Sequence, residues 1–169
     1  GMNLTINDGK RFSRPDIAFC LTRQPGSGEI YFGSSDANVH RIDLAAEKPE
    51  SATLGEGGHT SYVTGLTRSG ETLISSSYDR HLCWWNAENG SLIRKVPAHD
   101  KWIRDVVASP DGRFVASVAD DMVCRLWNRD SGKLVHDLRG HEATTPHHYP
   151  SMLFTCAFSP DGQFLATAD

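Results

Sequence analysis

The sequence predicts an all-β protein in which one antiparallel unit is repeated along the chain. Three segments of matching pattern carry this prediction, at residues 33–43, 76–86 and 118–128. A turn aspartate recurs in them at intervals of 43 and 42 residues, as Asp36, Asp79 and Asp121. The residues six positions further on keep the same intervals and are Ile42, Trp85 and Trp127. A fixed period of this size indicates one supersecondary unit stacked on copies of itself.

Each unit contains four short runs that favour β-strands. In the third unit these runs cover residues 103–107, 114–118, 123–127 and 133–138. They are rich in β-branched and aromatic residues, and turn-forming Pro, Asp and Gly residues separate them. No helical periodicity competes with this pattern. A short sequence is also repeated in the first two units, because residues 21–23 and 66–68 are both Leu-Thr-Arg.

Four-stranded sheets of this kind predict a β-propeller. A lone sheet leaves two faces and two edges uncovered, and stacking four to eight such sheets around an axis covers the faces. We expect blades at about residues 15–55, 56–97 and 98–139, with a partial blade at 140–169. An N-terminal segment at residues 1–14 precedes them, and its residues 3–6 could form an outer strand. Three blades and a part do not close a ring, so we expect a seven- or eight-bladed ring, completed by a longer chain or by a homodimer.

The landmark residues resemble those of the WD-repeat β-propeller family over about residues 15–169. Gly-His pairs open the second and fourth units, as Gly58-His59 and Gly140-His141, whereas Ala98-His99 opens the third. The third strand of a unit ends in Trp-Asn where the family has Trp-Asp, as Trp85-Asn86 and Trp127-Asn128.

The resemblance implies a structural tetrad of His, Ser, Asp and Trp inside each blade. By position, the two complete sets are His59, Ser75, Asp79 and Trp85, and His99, Ser117, Asp121 and Trp127. The first unit has Ile42 in the place of tryptophan, and its Ser34 and Asp36 are only two residues apart. Alternatively, Phe32 holds the strand position of the serine. We therefore expect the tetrad of the first unit to be absent or partial.

The His, Ser and Asp of these sets also invite comparison with a hydrolase triad. The trio recurs in two units, and no G-x-S-x-G nucleophile elbow is present. We therefore predict no catalytic residues, no cofactor and no enzyme activity. Two alternatives stay open, a regulatory propeller module within a larger multidomain enzyme and a propeller enzyme with an unrecognised site.

Composition restricts the partners. The net charge of −4 argues against general binding to nucleic acid or an anionic membrane, and no apolar run reaches the ~18 residues of a membrane span. The four cysteines form no C-x-x-C pair, which indicates buried free thiols, a reducing compartment and a cytoplasmic location.

An insertion of eight residues marks the fourth unit, because eighteen residues separate His141 from Ser159 while ten separate His99 from Ser109. The segment near residues 142–150 contains two prolines and two histidines, which favours a surface loop. His141, His147 and His148 could be imagined as metal ligands, but no carboxylate or cysteine spacing supports them, and we predict no metal site.

The resemblance further implies that side chains at the start of each first strand, and just before each turn aspartate, face the upper surface of the propeller. These side chains are Tyr62, Thr64, Trp102, Arg104, Ser35, Tyr78 and Asp120. Tyr, Trp and Arg are enriched in interface hot spots, so we predict that Tyr62, Tyr78, Trp102, Arg104 and Asp120 bind a partner. The competing interpretation is that they pack on neighbouring loops. The predicted function is a noncatalytic scaffold that presents loops on a rigid propeller to a protein or peptide.

Overall fold

The structure is a computed structural model that describes residues 13–144 and 150–169. The predicted outer strand at residues 3–6 and the two loop histidines, His147 and His148, lie outside those ranges. Within them the chain forms fourteen strands and no helix. No described helix could cross a membrane.

The strands form three four-stranded antiparallel sheets and one two-stranded sheet, in chain order. Sheet 1 contains β1 Ala18–Arg23, β2 Glu29–Ser34, β3 Val39–Asp43 and β4 Ser51–Thr53. Sheet 2 contains β5 Val63–Ser69, β6 Thr72–Ser77, β7 His81–Asn86 and β8 Leu92–Pro97. Sheet 3 contains β9 Ile103–Ala108, β10 Phe114–Ala119, β11 Cys124–Asn128 and β12 Leu134–Leu138. Sheet 4 contains β13 Thr155–Phe158 and β14 Leu165–Ala168. The all-β prediction, with three full units and a partial fourth, is confirmed.

The three full sheets share one register. Leu66 pairs with Ser75 in sheet 2, and Val106 pairs with Ser117 in sheet 3. In sheet 1 the matching pair is Leu21 with Phe32. Phe32 therefore holds the strand position of the tetrad serine, which is the alternative left open by the sequence.

The hydrophobic core is divided among the interfaces between consecutive sheets. Sheets 1 and 2 enclose a cluster that includes Tyr31, Leu73 and Trp85. Sheets 2 and 3 enclose another around Ile74 and Trp84, and sheets 3 and 4 share a smaller cluster. Each sheet thus covers the face of the next, which is how a stacked repeat buries its apolar area.

Polar contacts between the innermost strands add to this packing. The Thr64 hydroxyl donates to the Ile103 carbonyl at 2.7 Å, which joins β5 to β9. The Thr155 hydroxyl donates to the Asp105 carboxylate at 2.8 Å, which joins β13 to β9. Gly65 lies where β5 and β9 approach closely, since a Cβ there would sit 2.8 Å from the Val106 nitrogen.

All four cysteines are free thiols. Cys83, Cys124 and Cys156 are buried as predicted, whereas Cys20 is only partly buried. Burial raises the pKa of Cys83 to about 12 and that of Cys124 to about 11. Since the thiolate is the reactive form, these side chains are packing residues rather than nucleophiles.

Candidate functional site

In sheet 2 the four predicted tetrad residues form one chain of hydrogen bonds. His59 Nδ1 lies 3.2 Å from the Asp79 carboxylate, and His59 Nε2 lies 2.8 Å from Ser75 Oγ. The Trp85 indole N–H donates to the same Ser75 oxygen at 2.8 Å. The segment that precedes β5, which contains His59, is thereby linked to three other parts of the sheet. These are β6, β7 and the turn that connects β6 with β7.

Sheet 3 repeats this geometry. His99 Nδ1 lies 3.0 Å from Asp121 Oδ2, and His99 Nε2 lies 2.8 Å from Ser117 Oγ. The Trp127 indole donates to Ser117 Oγ at 2.9 Å. With the imidazole proton on Nδ1, the histidine donates to aspartate and accepts from serine, so every polar atom in the chain has a partner.

Backbone groups and a basic side chain complete the surroundings of each aspartate. The amides of Thr60 and His81 both donate to Asp79 at 3.0 Å. Lys95 Nζ lies 3.3 Å from Asp79, and Arg125 takes a similar place 3.5 Å from Asp121. Lys95 and Arg125 therefore neutralise buried carboxylates, a role that the sequence did not reveal.

These contacts determine the pKa of the aspartates. Burial alone would raise the pKa of Asp79, but the hydrogen bonds from His59 and from the backbone amides outweigh it and hold the pKa well below its usual range. The same balance, with His99 in the place of His59, lowers the pKa of Asp121. Both carboxylates are therefore ionised at neutral pH.

The histidine joins serine to aspartate as it does in a hydrolase triad, but the surroundings differ. Ser75 and Ser117 are fully buried. Each serine oxygen already accepts a hydrogen bond from a tryptophan indole. A substrate carbonyl has no route to an oxygen held in this way, so the geometry supports a structural tetrad and not a nucleophile.

Sheet 1 contains a different polar network that the sequence did not predict. His40 lies 2.9 Å from Asp36 through Nε2 and 3.2 Å from the Thr53 hydroxyl through Nδ1. Its ring stacks on Phe32 at 5.0 Å between centroids. Arg14 donates to Asp16 at 2.9 Å, and Ser34 also donates to Asp16. In sheets 2 and 3 the turn aspartate is bonded by a histidine that precedes the first strand, β5 or β9. In sheet 1 a histidine on the third strand, His40 on β3, bonds to the turn aspartate instead.

Asp16, Asp36 and His40 are close enough to be considered as metal ligands, since one ligand atom from each lies within 4.8 Å of the others. Arg14 lies among them, 3.2 Å from His40 Nε2 and 3.8 Å from Asp36. A guanidinium already supplies the positive charge that the carboxylates require, so this group of residues does not fit a metal ion. Of the suggested loop histidines, His141 bonds to the Thr167 hydroxyl at 2.7 Å, which is a partial tetrad in sheet 4.

The predicted partner-binding residues meet at the end of the sheets that carries the turn aspartates. The amide of Tyr78 donates to the Tyr62 carbonyl, and the amide of Asp120 donates to the Trp102 carbonyl. Tyr62 and Trp102 therefore hold equivalent positions in sheets 2 and 3. Thr64 is an exception among the candidates, because its hydroxyl is used in the bond to β9.

Four rings form what we call the aromatic row, which runs Phe19, Tyr62, Tyr78, Trp102 across three sheets. The centroid distances along the row are 5.4, 5.8 and 4.5 Å. Tyr62 is 45% exposed and Trp102 is 51% exposed. Phe19 was missed by the sequence, although it stands two residues after Ile17, the sheet 1 equivalent of Tyr62 and Trp102.

Arg104 holds one end of the aromatic row in place. Its guanidinium binds the Asp120 carboxylate through two bonds of 2.6 and 2.8 Å and donates to the Tyr78 hydroxyl at 2.7 Å. It also lies 5.6 Å from the Trp102 ring and 5.7 Å from the Phe154 ring. The hydrogen bond to Asp120 raises the pKa of Arg104, so the guanidinium stays charged at any physiological pH.

Beside this pair is an open cleft of 430 Å³. It is lined by Arg80, Asp100, Lys101, Trp102 and Asp120. The exposed rings and the cleft together form a continuous upper surface with an apolar centre and a charged rim. Protein–protein interfaces commonly combine an apolar centre with a polar rim in this way.

Comparison with known proteins supports this architecture. The WD domain, G-beta repeat family (WD40) matches residues 51–86, 90–128 and 132–169. Each match begins at the outer strand of one sheet and continues into the next sheet. The solved structure of U3-55K superimposes with a TM-score of 0.70 at 18% identity, covering 78% of this chain and 42% of that one. At that identity the likeness concerns the fold.

Curated relatives include nuclear distribution protein PAC1 of Arthroderma otae, which is 38% identical over 103 residues, 56% of this chain and 22% of the relative. Nuclear distribution protein nudF of Aspergillus niger is 27% identical over 156 residues, 92% of this chain and 33% of the relative. Small ribosomal subunit protein RACK1y of Oryza sativa subsp. japonica is 30% identical over 115 residues, 66% and 32% of the two chains.

The chain thus spans between a fifth and a third of the length of these relatives. The matched repeats cover well over half of its residues and coincide with the stacked four-stranded sheets. This chain therefore belongs to the WD40-repeat family of β-propeller proteins.

Proposed function

We propose that this chain is a noncatalytic protein-interaction scaffold that binds a protein or peptide on its upper surface. The observation that carries the proposal is the aromatic row, in which three exposed rings and the half-buried Tyr78 lie side by side at the ends of strands. Aromatic side chains that lose little conformational freedom on binding are typical interface anchors.

Electrostatics supports a protein partner over nucleic acid or a membrane. The net charge is −4, and Arg104 on the upper surface is already neutralised by Asp120. The remaining rim charges are of both signs, with Lys101 and Arg80 next to Asp100. A peptide with an apolar centre and polar flanks would match this pattern, whereas a polyanion would gain little.

The absence of catalysis is part of the same proposal. The two His-Ser-Asp sets are enclosed, and the relatives carry names that describe assemblies or distribution, such as a small ribosomal subunit protein. The free thiols also suit the reducing cytoplasm, where we place the protein. A regulatory module of a larger enzyme would use the same surface for binding.

We also propose that the outward face of sheet 1 is covered in the working protein. Leu21 is 69% exposed, whereas its equivalent in sheet 2, Leu66, is 8% exposed because sheet 1 packs on it. An apolar groove of 330 Å³ surrounds Leu21 and includes Ile30 and Ile42. A second copy that completes the ring as a homodimer, or further blades, would bury this face.

The test is to replace Trp102 with alanine and compare the proteins that cross-link to the two forms, followed by titration of the purified partner. We expect the Trp102→Ala variant to bind the partner at least tenfold more weakly, since removing a hot-spot side chain costs about 2 kcal/mol or more. Its unfolding free energy should change by less than about 1 kcal/mol, because the ring is half exposed.

Ile93→Ala is the matched control, since Ile93 is 48% exposed on the outer strand β8, away from the aromatic row. It should bind like the wild type. If Trp102→Ala and Ile93→Ala bound the partner equally well, the upper surface would not be the binding site. If Trp102→Ala lost much of its stability, Trp102 would be a packing residue.

A further inference from the structure

The cleft beside Trp102 lies where the upper ends of sheets 2 and 3 meet. Arg80 lines it from the β6–β7 turn, while Lys101 and Trp102 line it from the segment that leads into β9. The Arg80 carbonyl accepts hydrogen bonds from the amides of Ala98 and His99, at 2.9 and 3.2 Å. These bonds hold the turn that carries Arg80 against the segment that carries Lys101. Two cationic side chains from different sheets therefore border one opening.

Arg80 and Lys101 differ from the other cations near the turn aspartates of sheets 2 and 3, which are already paired. Those pairs are Lys95–Asp79, Arg104–Asp120 and Arg125–Asp121. Arg80 and Lys101 are both exposed. Within residues 13–144 and 150–169, neither has an ion-pair partner. Their charges are therefore available to a ligand.

The two cations belong to this boundary and not to the repeat. The residue after the turn aspartate has a positive φ in all three full sheets, with values of 69° at Ala37, 70° at Arg80 and 63° at Met122. Alanine and methionine serve this backbone position as well, so the turn itself does not require an arginine. In sheet 2 the residue before Tyr62 is Ser61, at the position that Lys101 holds before Trp102. The folding of the repeat therefore explains neither charge.

The charges around the cleft leave an excess of one positive charge. Its two carboxylates are Asp100 and Asp120. Asp120 is neutralised by Arg104, which donates to both of its oxygens. Asp100 offsets only one of the two exposed cations. The chain as a whole carries a net charge of −4, so this cleft differs in sign from the protein around it.

We infer that this cleft binds the carboxylate of an acidic side chain, so that the partner of the upper surface is an acidic peptide. The Arg80 guanidinium can donate two parallel hydrogen bonds to one carboxylate, and the Lys101 ammonium adds a second positive charge. The half-exposed Trp102 ring offers an apolar wall for the methylene groups of that side chain. The inference rests on the proposed function, because it names the chemistry of the partner of the same surface.

The test uses three matched peptides, acetyl-Phe-Glu-amide, acetyl-Phe-Gln-amide and acetyl-Phe-Lys-amide, titrated into the ¹⁵N-labelled chain. The NMR signal followed is the Trp102 indole N–H. The indoles of Trp84, Trp85 and Trp127 donate inside the fold and serve as internal references. We expect the glutamate peptide to saturate the Trp102 signal and to bind about threefold more tightly than the glutamine peptide, with the lysine peptide weakest. Added salt should reduce this advantage, since it screens exposed charges.

Two variants assign the preference to the cleft. Lys101→Gln and Arg80→Gln should each weaken binding of the glutamate peptide and leave binding of the glutamine peptide nearly unchanged, because each removes one charge from an exposed position. Lys133→Gln is the matched control, since Lys133 is exposed in the turn before β12, at the opposite end of sheet 3. It should bind all three peptides like the wild type.

The outcomes separate the acidic preference from the proposed function. Equal affinity for the glutamate and glutamine peptides would overturn the preference and leave the upper surface as the binding site. The preference would also be overturned if Lys101→Gln and Arg80→Gln kept the ratio of these two affinities seen with Lys133→Gln. If none of the three peptides shifted the Trp102 indole signal to saturation, the acidic site and binding at the upper surface would both be contradicted.

Discussion

Ser75 and Ser117 show how much one small side chain can hold together. Each hydroxyl oxygen lies within hydrogen-bond distance of a histidine and a tryptophan in a space that water does not reach. Removing such an oxygen leaves two buried polar groups without partners. Buried groups of this kind are expensive to leave unpaired, so the serine is the most sensitive point of the tetrad.

We predict that Ser117→Ala lowers the free energy of unfolding by about 2–4 kcal/mol, since the Trp127 indole and the His99 ring both lose a partner. Ser131→Ala is the control, because Ser131 is exposed in the turn after β11 and should change stability by less than about 0.5 kcal/mol. Urea denaturation measures both. Equal stability of the two variants would mean that the tetrad is not structural.

The tetrad aspartates also predict how stability depends on pH. The folded state lowers the pKa of Asp79 and Asp121 below the unfolded value of about 3.9. Their contribution is therefore fully present above about pH 4 and is lost as the pH falls towards the folded-state values. We expect the free energy of unfolding to fall on acidification, and Asp121→Asn to be less stable at pH 7 and less sensitive to acid. If the free energy of unfolding of Asp121→Asn fell with pH as steeply as that of the wild type, this account would be contradicted.

Folding should shift the pKa of Asp105 upwards, which is opposite to the shift of Asp79 and Asp121. Burial raises its pKa more than its bonds to Thr155, Cys156 and Val106 lower it. A carboxyl whose pKa is raised in the folded state stabilises the fold when protonated and loses that contribution as the pH rises through the raised pKa. NMR titration of the carboxyl carbons should thus place Asp105 above about 3.9 and Asp79 below it.

Among the elements, the innermost strands decide how closely the sheets stack. β5 and β9 approach each other at Gly65, where there is no room for a side chain. The hydrogen bond from Thr64 to Ile103 depends on the same close approach. The packing of sheet 2 on sheet 3 therefore requires a glycine for space rather than for backbone freedom.

We predict that Gly65→Ala destabilises the chain by about 2 kcal/mol or more, because the new methyl group must push two backbones apart. Gly26→Ala is a useful comparison. A Cβ at Gly26 would meet nothing within 4 Å, but its φ of 76° is unfavourable for alanine, so the cost should be about 1 kcal/mol. Thermal or urea denaturation distinguishes them, and an equal or smaller loss for Gly65→Ala would show that the strands can separate freely.

At the scale of the whole molecule, the uncovered face of sheet 1 predicts association in solution. Its apolar residues are exposed because none of the described sheets packs on this face, as the contrast between Leu21 and Leu66 shows. Exposed apolar faces of this kind are usually buried against a partner. The same face would be internal in a closed propeller.

We therefore expect light scattering to give a mass of about twice the 18.6 kDa of one chain. Leu21→Lys should return the protein to a monomer, while Lys101→Ala, on the upper surface, should not. A wild-type monomer at high concentration would argue against ring completion by a second copy and favour closure by additional blades.

The sequence by itself determined the repeat and the strands, and its resemblance to the WD-repeat family indicated the tetrads of sheets 2 and 3. These features depend on residues within one unit, such as the fixed spacings from Ser75 to Asp79 and from Asp79 to Trp85, which alternation and turn geometry translate directly into contacts. The resemblance also implied that Tyr62 and Trp102, which occupy matching positions, lie on one surface.

Only the tertiary structure decided how different units meet. It placed His40 and Arg14 beside the turn aspartate of sheet 1, where the tetrad is missing, and joined Phe19 to the aromatic row. These contacts join residues that are far apart along the chain or that lie on different sheets. They depend on the twist and stacking of whole sheets, which no local pattern of residues specifies.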